Sequence, residues 1–295
     1  MSRAAVFRQL CSLATAGGLM LVALSASAQS AVERGRYLTA ASGCAGCHTE
    51  DREDAVPFAG GRAIKSAFGT FYSPNITPDR ETGIGNWSDA QFIAALHDGI
   101  RPDGASYFPA FPFPSYTGMT TDDALDIKAY LFSLPAVRQA NRAHELPWYL
   151  RSRLAARAWK LLYFRAGRFA PDPSRDDSWN RGAYLVRHLG HCGQCHTPRS
   201  RFGALIADRE LAGSPSGVKE DSVPNITPHE ADGIGTWSAP DLELFLEIGM
   251  LPDGDFAGAG MGQVIDENTS QLTGEDRSAI TNYLRALPAL PDKRS

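Results

Sequence analysis

The sequence predicts an all-α fold with two similar helical domains joined by a basic helical linker. The second half of the chain repeats motifs of the first half, which indicates a duplicated domain. Most segments between the loops carry apolar residues at helical spacing, and the alternation typical of strands is almost absent. We predict a leader at 1–28, domains at 29–141 and 176–295, and the linker at 142–175.

The leader has the pattern of a cleaved secretory signal peptide. Arg3 and Arg8 are its only charges, an apolar stretch follows, and a small-residue cleavage pattern ends at Ala28. A retained membrane anchor is the alternative, but the apolar stretch is short for a span. Cleavage changes the formal net charge of the chain from −4 to −6. The sequence therefore predicts an exported, periplasmic protein and gives no indication of nucleic-acid binding.

Every cysteine outside the leader lies in a Cys-x-x-Cys-His motif, at residues 44–48 and 192–196. This spacing is the attachment pattern for c-type haem, in which the thiols bind the haem and the histidine ligates the iron. A zinc ribbon does not require a histidine after each cysteine pair, and a thioredoxin-like dithiol normally occurs once. A disulfide within the motif closes too small a loop to stabilise much. An exported chain with no cysteine left for structural disulfides therefore favours two covalently bound haems.

Matching segments occur along both halves of the chain. Their offset grows from 147 to 153 residues, which indicates small loop insertions, because loops absorb length changes at little cost. The matched pairs are RGRYL at 34–38 with RGAYL at 181–185, PNITPDRETGIGNWS at 74–88 with PNITPHEADGIGTWS at 224–238, and KAYLFSLPAV at 128–137 with TNYLRALPAL at 281–290.

Both halves have the same predicted order of elements. A helix with RGxYL leads into the Cys-x-x-Cys-His, and a long stretch rich in Gly, Pro and Asn follows without regular structure. The next helix begins after Ser88 or Ser238 and ends at Gly99 or Gly249. The last helix begins with a threonine and acidic residues and ends at a proline. Each domain has about 110 residues, which suits a single haem as its core.

The linker is strongly basic. From residue 138 to residue 168, eight Lys and Arg residues stand against Glu145 alone, which gives this stretch a charge of +7. One interpretation is a strap whose apolar face packs across both domains. The residues of that face are Trp148, Leu154, Trp159 and Leu162. The other is that residues 148–168 form a docking face for a partner protein or an anionic membrane surface.

The combination of motifs is similar to that of a known family. With RGAYLVRHLGHCGQCHTPR, PNITPxxxxGIGxWS and a terminal AYLxSLP, the chain resembles the multihaem c-type cytochromes that serve as electron-transfer subunits of periplasmic alcohol, aldehyde and sugar-acid dehydrogenases. The resemblance covers nearly the whole chain after the leader. It implies tandem cytochrome c domains, haem c and electron transfer. Those subunits usually carry three haem domains, whereas this chain has two motifs.

The motifs assign haem-attachment residues in each half. We expect both PNITP stretches to lie at the edge of the haem, where Asn and Thr side chains can bind the backbone or a propionate. The predicted attachment residues and proximal ligands are Cys44, Cys47 and His48 for the first haem, and Cys192, Cys195 and His196 for the second.

The sixth iron ligands are predicted to differ between the halves. Met261 lies in FAGAGMGQV, a flexible run before the last helix, and is the predicted ligand of the second haem. In the first half the family's methionine position holds Phe111, which cannot ligate iron. Three outcomes remain there: Met119 ligates from eight residues later, His97 ligates, or the site is open. We predict Met119, although it aligns with Leu272, and expect His97 to be a solvated helix-end residue.

Electron transfer is the predicted function, without catalysis by the chain itself. A haem whose axial positions are both filled by protein cannot bind substrate, and His/Met ligation raises its potential. We expect a dehydrogenase as electron donor and a terminal oxidase or quinone-linked acceptor. The alternative is a dihaem oxidoreductase of the peroxidase or thiosulfate-oxidising type, which needs an open iron site with acid–base residues over it. We also expect His144 to be a solvated loop residue.

Overall fold

The structure is a computed structural model, and it describes residues 30–215 and 222–292. The predicted leader lies outside these residues. The first half contains α1 (30–41), α2 (Cys44–His48), α3 (Asp89–Asp98), α4 (Phe113–Tyr116) and α5 (Thr121–Ser133). The linker contains α6 (Arg153–Tyr163). The second half contains α7 (Asp177–Tyr184), α8 (Gly193–His196), α9 (Ala239–Ile248), α10 (Ala259–Glu267) and α11 (Gly274–Arg285).

Single helical turns complete these elements. The 3₁₀ turns are Trp148–Leu150, Ala207–Arg209 and Thr269–Gln271, and a π turn, Leu185–Leu189, continues α7. The protein is mostly helical, in agreement with the predicted fold class. The predicted domain and linker boundaries stay predictions. Within residues 30–215 and 222–292, no helix is both long and apolar enough to cross a membrane.

Capping residues set the ends of the matched helices. Ser88 and Ser238 each accept a hydrogen bond from the third residue of the following helix and form a capping box. Gly99 and Gly249 end these helices in the left-handed conformation, with φ of 59° and 79°. The helix starts and stops predicted from these four residues are therefore confirmed.

The glycine of each RGxYL motif lies where the first and last helices of a half cross. A Cβ atom on Gly35 would lie 1.8 Å from the Asp126 carbonyl oxygen, and one on Gly182 would lie 2.0 Å from that of Ala279. No side chain larger than hydrogen fits at that distance without moving a backbone. The two glycines thus permit the same close crossing in both halves.

Two tyrosines link each half to the other. The hydroxyl of Tyr37 accepts a hydrogen bond from the Thr273 amide at 3.2 Å and donates to Asp276. The hydroxyl of Tyr184 accepts from the Thr120 amide at 3.1 Å and donates to a carboxylate at the start of α5. Each RGxYL tyrosine therefore binds the first turn of the last helix in the opposite half.

One hydrophobic core runs through both halves. Its cluster of buried residues includes Leu38 and Ile127 from the first half and Leu185 and Leu284 from the second. A smaller cluster, made of Phe71, Phe108, Leu146 and Ala156, joins the linker to the first half.

A β-hairpin departs from the all-α prediction. Strand β1 (Ala63–Ser66) pairs antiparallel with β2 (Gly69–Tyr72). Thr70 also exchanges two backbone hydrogen bonds with Glu145, at 3.0 and 2.9 Å. The hairpin forms because the start of the linker supplies a third extended segment beside β2, a pairing that local sequence does not indicate.

His144 belongs to the same structure and is not the solvated residue that the sequence predicts. Its Nδ1 accepts a hydrogen bond from the Tyr72 amide at 3.1 Å. Its ring lies 5.3 Å from Phe71 and 6.2 Å from Phe108. Residue 144 thus helps to hold the linker against the hairpin.

The linker does not pack as the predicted strap. Trp148, Leu154 and Leu162 are 80%, 72% and 67% exposed. Of the four residues of the predicted apolar face, Trp159 alone is partly buried, and its indole donates to the Phe202 carbonyl at 2.9 Å. The predicted face does not pack as a whole, because α6 turns Ala156 toward the first half and its leucines outward. Of its four residues, Trp159 alone contacts both halves, through the Phe113 ring and the Phe202 carbonyl.

Candidate haem-binding sites

Both Cys-x-x-Cys-His motifs fold as a single helical turn. Cys44 and Cys47 lie three residues apart in α2, so their thiols share one side of the helix. Cys192 and Cys195 are placed in the same way at α8. None of these four cysteines forms a disulfide. A disulfide role for the motifs is therefore unsupported.

The motif histidines each bind a proline carbonyl. Nδ1 of His48 lies 2.8 Å from the Pro74 oxygen, and Nδ1 of His196 lies 2.7 Å from the Pro224 oxygen. Because a carbonyl only accepts, Nδ1 carries the proton and Nε2 keeps its lone pair. An imidazole held in this way is prepared to ligate a metal through Nε2.

Burial sets the protonation of the motif side chains. It lowers the pKa of His48 and of His196, which favours the neutral imidazole that binds metals. Burial, and then the neighbouring thiol of the same motif, raises the pKa of Cys44 and of Cys192 to about 12. A thiol of raised pKa stays protonated at neutral pH, unlike the activated cysteine of a redox-active dithiol.

The PNITP stretches hold the two carbonyls in place. Oδ1 of Asn75 accepts hydrogen bonds from the amide and hydroxyl of Thr77 at 2.9 and 2.7 Å, and its Nδ2 donates to the Val137 carbonyl at 2.7 Å. Asn225 makes the same three contacts, with the Leu290 carbonyl as the last acceptor. The predicted backbone role of these side chains is confirmed. The carbonyl partners of the histidines were not predicted, although the repeated PNITP was the signal for them.

The two candidate methionines lie in different surroundings. Met261 lies in the first turn of α10, so the run that the sequence predicts as flexible contains the start of a helix. Met119 is fully buried just before α5. Leu272 is buried in the matching place before α11, as expected from the alignment. In the second half, an apolar packing residue therefore occupies the position that matches Met119.

His97 is fully buried and not a solvated helix end. Phe113 covers the end of α3, where a Cβ on Gly99 would lie 2.6 Å from its ring. Neither ring nitrogen of His97 makes a hydrogen bond of normal geometry among the described residues, although the Met119 backbone lies close enough to interact with the ring. Burial, and then the nearby Arg168, lowers its pKa to about 4, so the imidazole is neutral.

The two motifs adjoin each other across the halves. The Tyr116 hydroxyl donates to the Ser42 carbonyl at 2.8 Å, and its ring lies 5.4 Å from that of His191. Desolvation by the surrounding protein raises the pKa of the Cys47 thiol, which still lies at the surface, and the Cys195 thiol of the other motif adds to the rise. Sequence reasoning missed this juxtaposition, which depends on contacts between residues far apart in the chain.

Comparison with known proteins identifies the family. The family model described as cytochrome c matches residues 32–135. A "Diheme cytochrome c-type" protein of Cereibacter sphaeroides is 40% identical over 265 residues, which cover 87% of this chain and 86% of that protein. The chain belongs to the cytochrome c family.

Other relatives of this cytochrome c are named as dehydrogenase subunits, which confirms the resemblance predicted from the motifs. The fructose dehydrogenase cytochrome subunit of Gluconobacter japonicus is 40% identical over 260 residues. The gluconate 2-dehydrogenase cytochrome c subunit of Pantoea cypripedii is 38% identical over 272 residues. The matches cover 88% of this chain but 53% and 60% of those two proteins.

Membership of the cytochrome c family implies covalently bound haem c and electron transfer. The residues present fit that group, because each motif joins two thiols on one side of a helical turn to an imidazole with a free Nε2. Among the described residues, no cluster of three or more His, Cys, Asp or Glu side chains is placed to hold a metal ion directly.

Proposed function

We propose that this cytochrome c is a periplasmic dihaem electron carrier that takes electrons from a dehydrogenase and passes them to the respiratory chain. The observation that carries the proposal is the duplicated site, in which both motif histidines bind a proline carbonyl through Nδ1. Relatives named as cytochrome subunits of fructose and gluconate dehydrogenases support a dehydrogenase as donor. A terminal oxidase or a quinone-linked protein is the proposed acceptor.

Each half holds one haem in this proposal. When bound, haem c supplies an iron that changes its charge by one electron. The two thiols of each motif would attach it, and the proline carbonyl would hold the proximal imidazole with Nε2 free for the iron. The proposed attachment residues and proximal ligands are Cys44, Cys47 and His48 in the domain at 29–141, and Cys192, Cys195 and His196 in the domain at 176–295.

We keep Met261 as the proposed sixth ligand in the second half and Met119 in the first. Their support differs. Met261 aligns with Phe111, so only the second half has a methionine at this position. The fully buried Met119 shares its place with Leu272, a packing position.

The arrangement of the motifs supports transfer between the two haems. Residues at the two motifs contact each other through Tyr116 and His191, and no part of the linker lies between these rings. We therefore propose that an electron that enters one half leaves through the other.

The experiment is a haem count combined with a redox titration of the purified protein. The wild type should contain two haems per chain and show two one-electron steps. Cys44→Ala/Cys47→Ala and Cys192→Ala/Cys195→Ala should each retain one covalent haem. A wild-type protein that loses its haem on denaturation contradicts the proposal.

A dihaem oxidoreductase is the second candidate, favoured by a single observation. Phe111 occupies the methionine position of the first half and cannot ligate iron, so an iron bound there lacks that ligand. Turnover of peroxide by the purified protein would support this activity. Absence of turnover, together with two titrating haems, supports the electron carrier.

A further inference from the structure

Large apolar side chains are exposed together on the linker. We name this the linker face and define it as Trp148, Tyr149, Leu154, Leu161 and Leu162, which are 80%, 60%, 72%, 71% and 67% exposed. Tyr163 and Phe202 are also exposed and stack with ring centroids 6.3 Å apart, on the side of α6 that carries Trp159. Among the described residues, six of the eleven exposed large hydrophobic side chains thus lie between residues 148 and 163.

The leucines of α6 point outward because the opposite side of the helix is anchored. Leu154 and Leu161 are two turns apart, so they share a side of the helix, and Leu162 lies next to them. On the other side, Ala156 is 1% exposed and Arg153 lies over the Phe108 ring at 5.2 Å. The linker face is therefore part of a fixed helix and not of a detached segment.

Basic side chains border the linker face. Arg151, Arg157 and Arg165 are exposed, and residues 146–171 contain no acidic residue. Among the described residues, none of these three arginines forms a salt bridge; Arg151 and Arg165 bind backbone carbonyls instead. Their charges remain available to an external anion in a chain of net charge −4.

We propose that the linker face lies on an anionic membrane surface. A helix with leucines on one side and arginines at its borders inserts its apolar side below the headgroups, while the arginines bind lipid phosphates. Trp148 and Tyr149 are the residue types found at headgroup level. The eleven residues of α6 extend about 16 Å, so the helix lies flat on the surface and does not cross the bilayer.

A bilayer suits this surface better than an acidic redox partner does. Encounter surfaces between electron-transfer proteins are small and transient. Burial of five large apolar side chains against such a partner would need a matching apolar surface, whereas a bilayer supplies one without shape complementarity. The placement would keep this cytochrome at the membrane, where respiratory acceptors are located.

Vesicle sedimentation tests the proposal with the complete haem-containing protein. The wild type should pellet with vesicles of mixed phosphatidylcholine and phosphatidylglycerol, and less with phosphatidylcholine alone. Leu154→Gln/Leu161→Gln/Leu162→Gln should lower binding roughly tenfold or more, because three apolar side chains no longer insert. Arg151→Gln/Arg157→Gln/Arg165→Gln should remove the preference for the anionic vesicles.

Ile248→Gln/Phe256→Gln is the matched control, since both side chains are exposed in the second half, at 51% and 59%. It should bind like the wild type. The proposal is overturned if the wild type does not pellet, if the triple leucine variant binds normally, or if the control loses binding equally. A leucine variant that is slowed only in its reduction by a dehydrogenase would identify a protein-docking face instead. Haem content per chain should be measured in every variant. A variant that keeps both haems but no longer binds vesicles has lost membrane binding alone, whatever the outcome for the proposed electron transfer.

Discussion

A single hydrogen bond determines the chemical form of each motif histidine. His48 and His196 donate from Nδ1 to Pro74 and Pro224, and burial keeps both rings neutral by lowering their pKa. Nε2 is therefore available in both halves. The same local geometry arises twice because a buried asparagine follows each proline and fixes the loop.

Replacement of the two candidate methionines by leucine tests their roles as iron ligands. Leucine nearly conserves the volume of methionine, so the free energy of unfolding should change by less than about 1.5 kcal/mol in either variant. Met261→Leu should lower the midpoint potential of one haem, because the iron loses a sulfur ligand that favours its reduced state. Met119→Leu should lower the midpoint potential of the other haem. Potentiometric titration measures both.

The leucine exchange separates ligation from packing at residue 119. Met119 is fully buried, so an alanine variant would lose stability whatever its role, by about 2–5 kcal/mol. Unchanged potentials in Met119→Leu would refute ligation there. The matched reference is Leu272→Met, which places a sulfur at the equivalent site of the second half and should leave both potentials unchanged.

Residues that belong to a short local motif could be predicted from the sequence, whereas residues whose surroundings depend on the tertiary fold could not. Cys44, Cys47 and His48 were predicted from a pattern contained in five residues, together with its repeat at 192–196 and the lack of cysteines for structural disulfides. The burial of His97 could not be predicted, since residues beyond an irregular loop close over this end of α3, with Phe113 against Gly99 and the Met119 backbone beside His97. A polar residue at a helix end is ordinarily solvated, and only the tertiary fold reverses that expectation.

At the scale of elements, Tyr37 and Tyr184 each connect the first helix of one half with the last helix of the other half. Tyr184→Phe removes the hydroxyl that accepts from the Thr120 amide and donates to Asp123. We expect a loss of about 1–2 kcal/mol in the free energy of unfolding, because the carboxylate and the amide lose a partly buried partner. Urea denaturation measures the change.

Tyr149→Phe is the control for this substitution, because Tyr149 is 60% exposed and makes no hydrogen bond through its hydroxyl among the described residues. It should change stability by less than about 0.5 kcal/mol. Equal effects of the two substitutions would show that the hydrogen bonds of the Tyr184 hydroxyl contribute nothing to the free energy of unfolding.

The junction between hairpin and linker should be sensitive to acid through His144. Burial, and then Arg153, lowers the pKa of His144, so the folded protein favours its neutral form. The unfolded chain takes up a proton as the pH falls through about 6.5, which is the ordinary histidine value. The contribution of His144 to stability is therefore present above that pH and is lost as the pH falls toward the folded pKa.

His144→Gln keeps an acceptor for the Tyr72 amide and removes the titration. Urea unfolding between about pH 5 and pH 7.5 should show a smaller loss of stability in the variant than in the wild type. Identical pH dependence in both proteins would mean that His144 does not carry the effect.

Helices with strong end signals were predictable, and elements held by distant contacts were not. Ser88 and Gly99 mark both ends of α3 within the local sequence. Helix α10 begins in a glycine-rich run of low helix propensity, and contacts with α2 and α9 stabilise it instead. The hairpin depends on Glu145, which lies some seventy residues further along the chain.

On the scale of the whole molecule, the two halves share their interior. The main hydrophobic cluster contains helices of both halves, and polar contacts cross between them near the first motif. One such contact joins Nδ2 of Asn268 to the Ala41 carbonyl at 3.0 Å. Separation of the halves would expose apolar side chains and leave this carbonyl without its donor. We therefore expect the halves to unfold together, although the sequence indicated two domains.

A substitution in the second half should consequently destabilise the first. Asn268→Ala deprives the Ala41 carbonyl of a buried donor and should cost about 1–3 kcal/mol. Hydrogen exchange followed by mass spectrometry in rising urea should show α5 and α11 losing protection at one common urea concentration, which the substitution lowers equally for both. Asn86→Ala is the control, because its exposed side chain binds the Arg80 carbonyl within the first half, and it should leave that concentration nearly unchanged. If α11 loses protection while α5 keeps it, each half is stable without the other, and the shared core does not couple them.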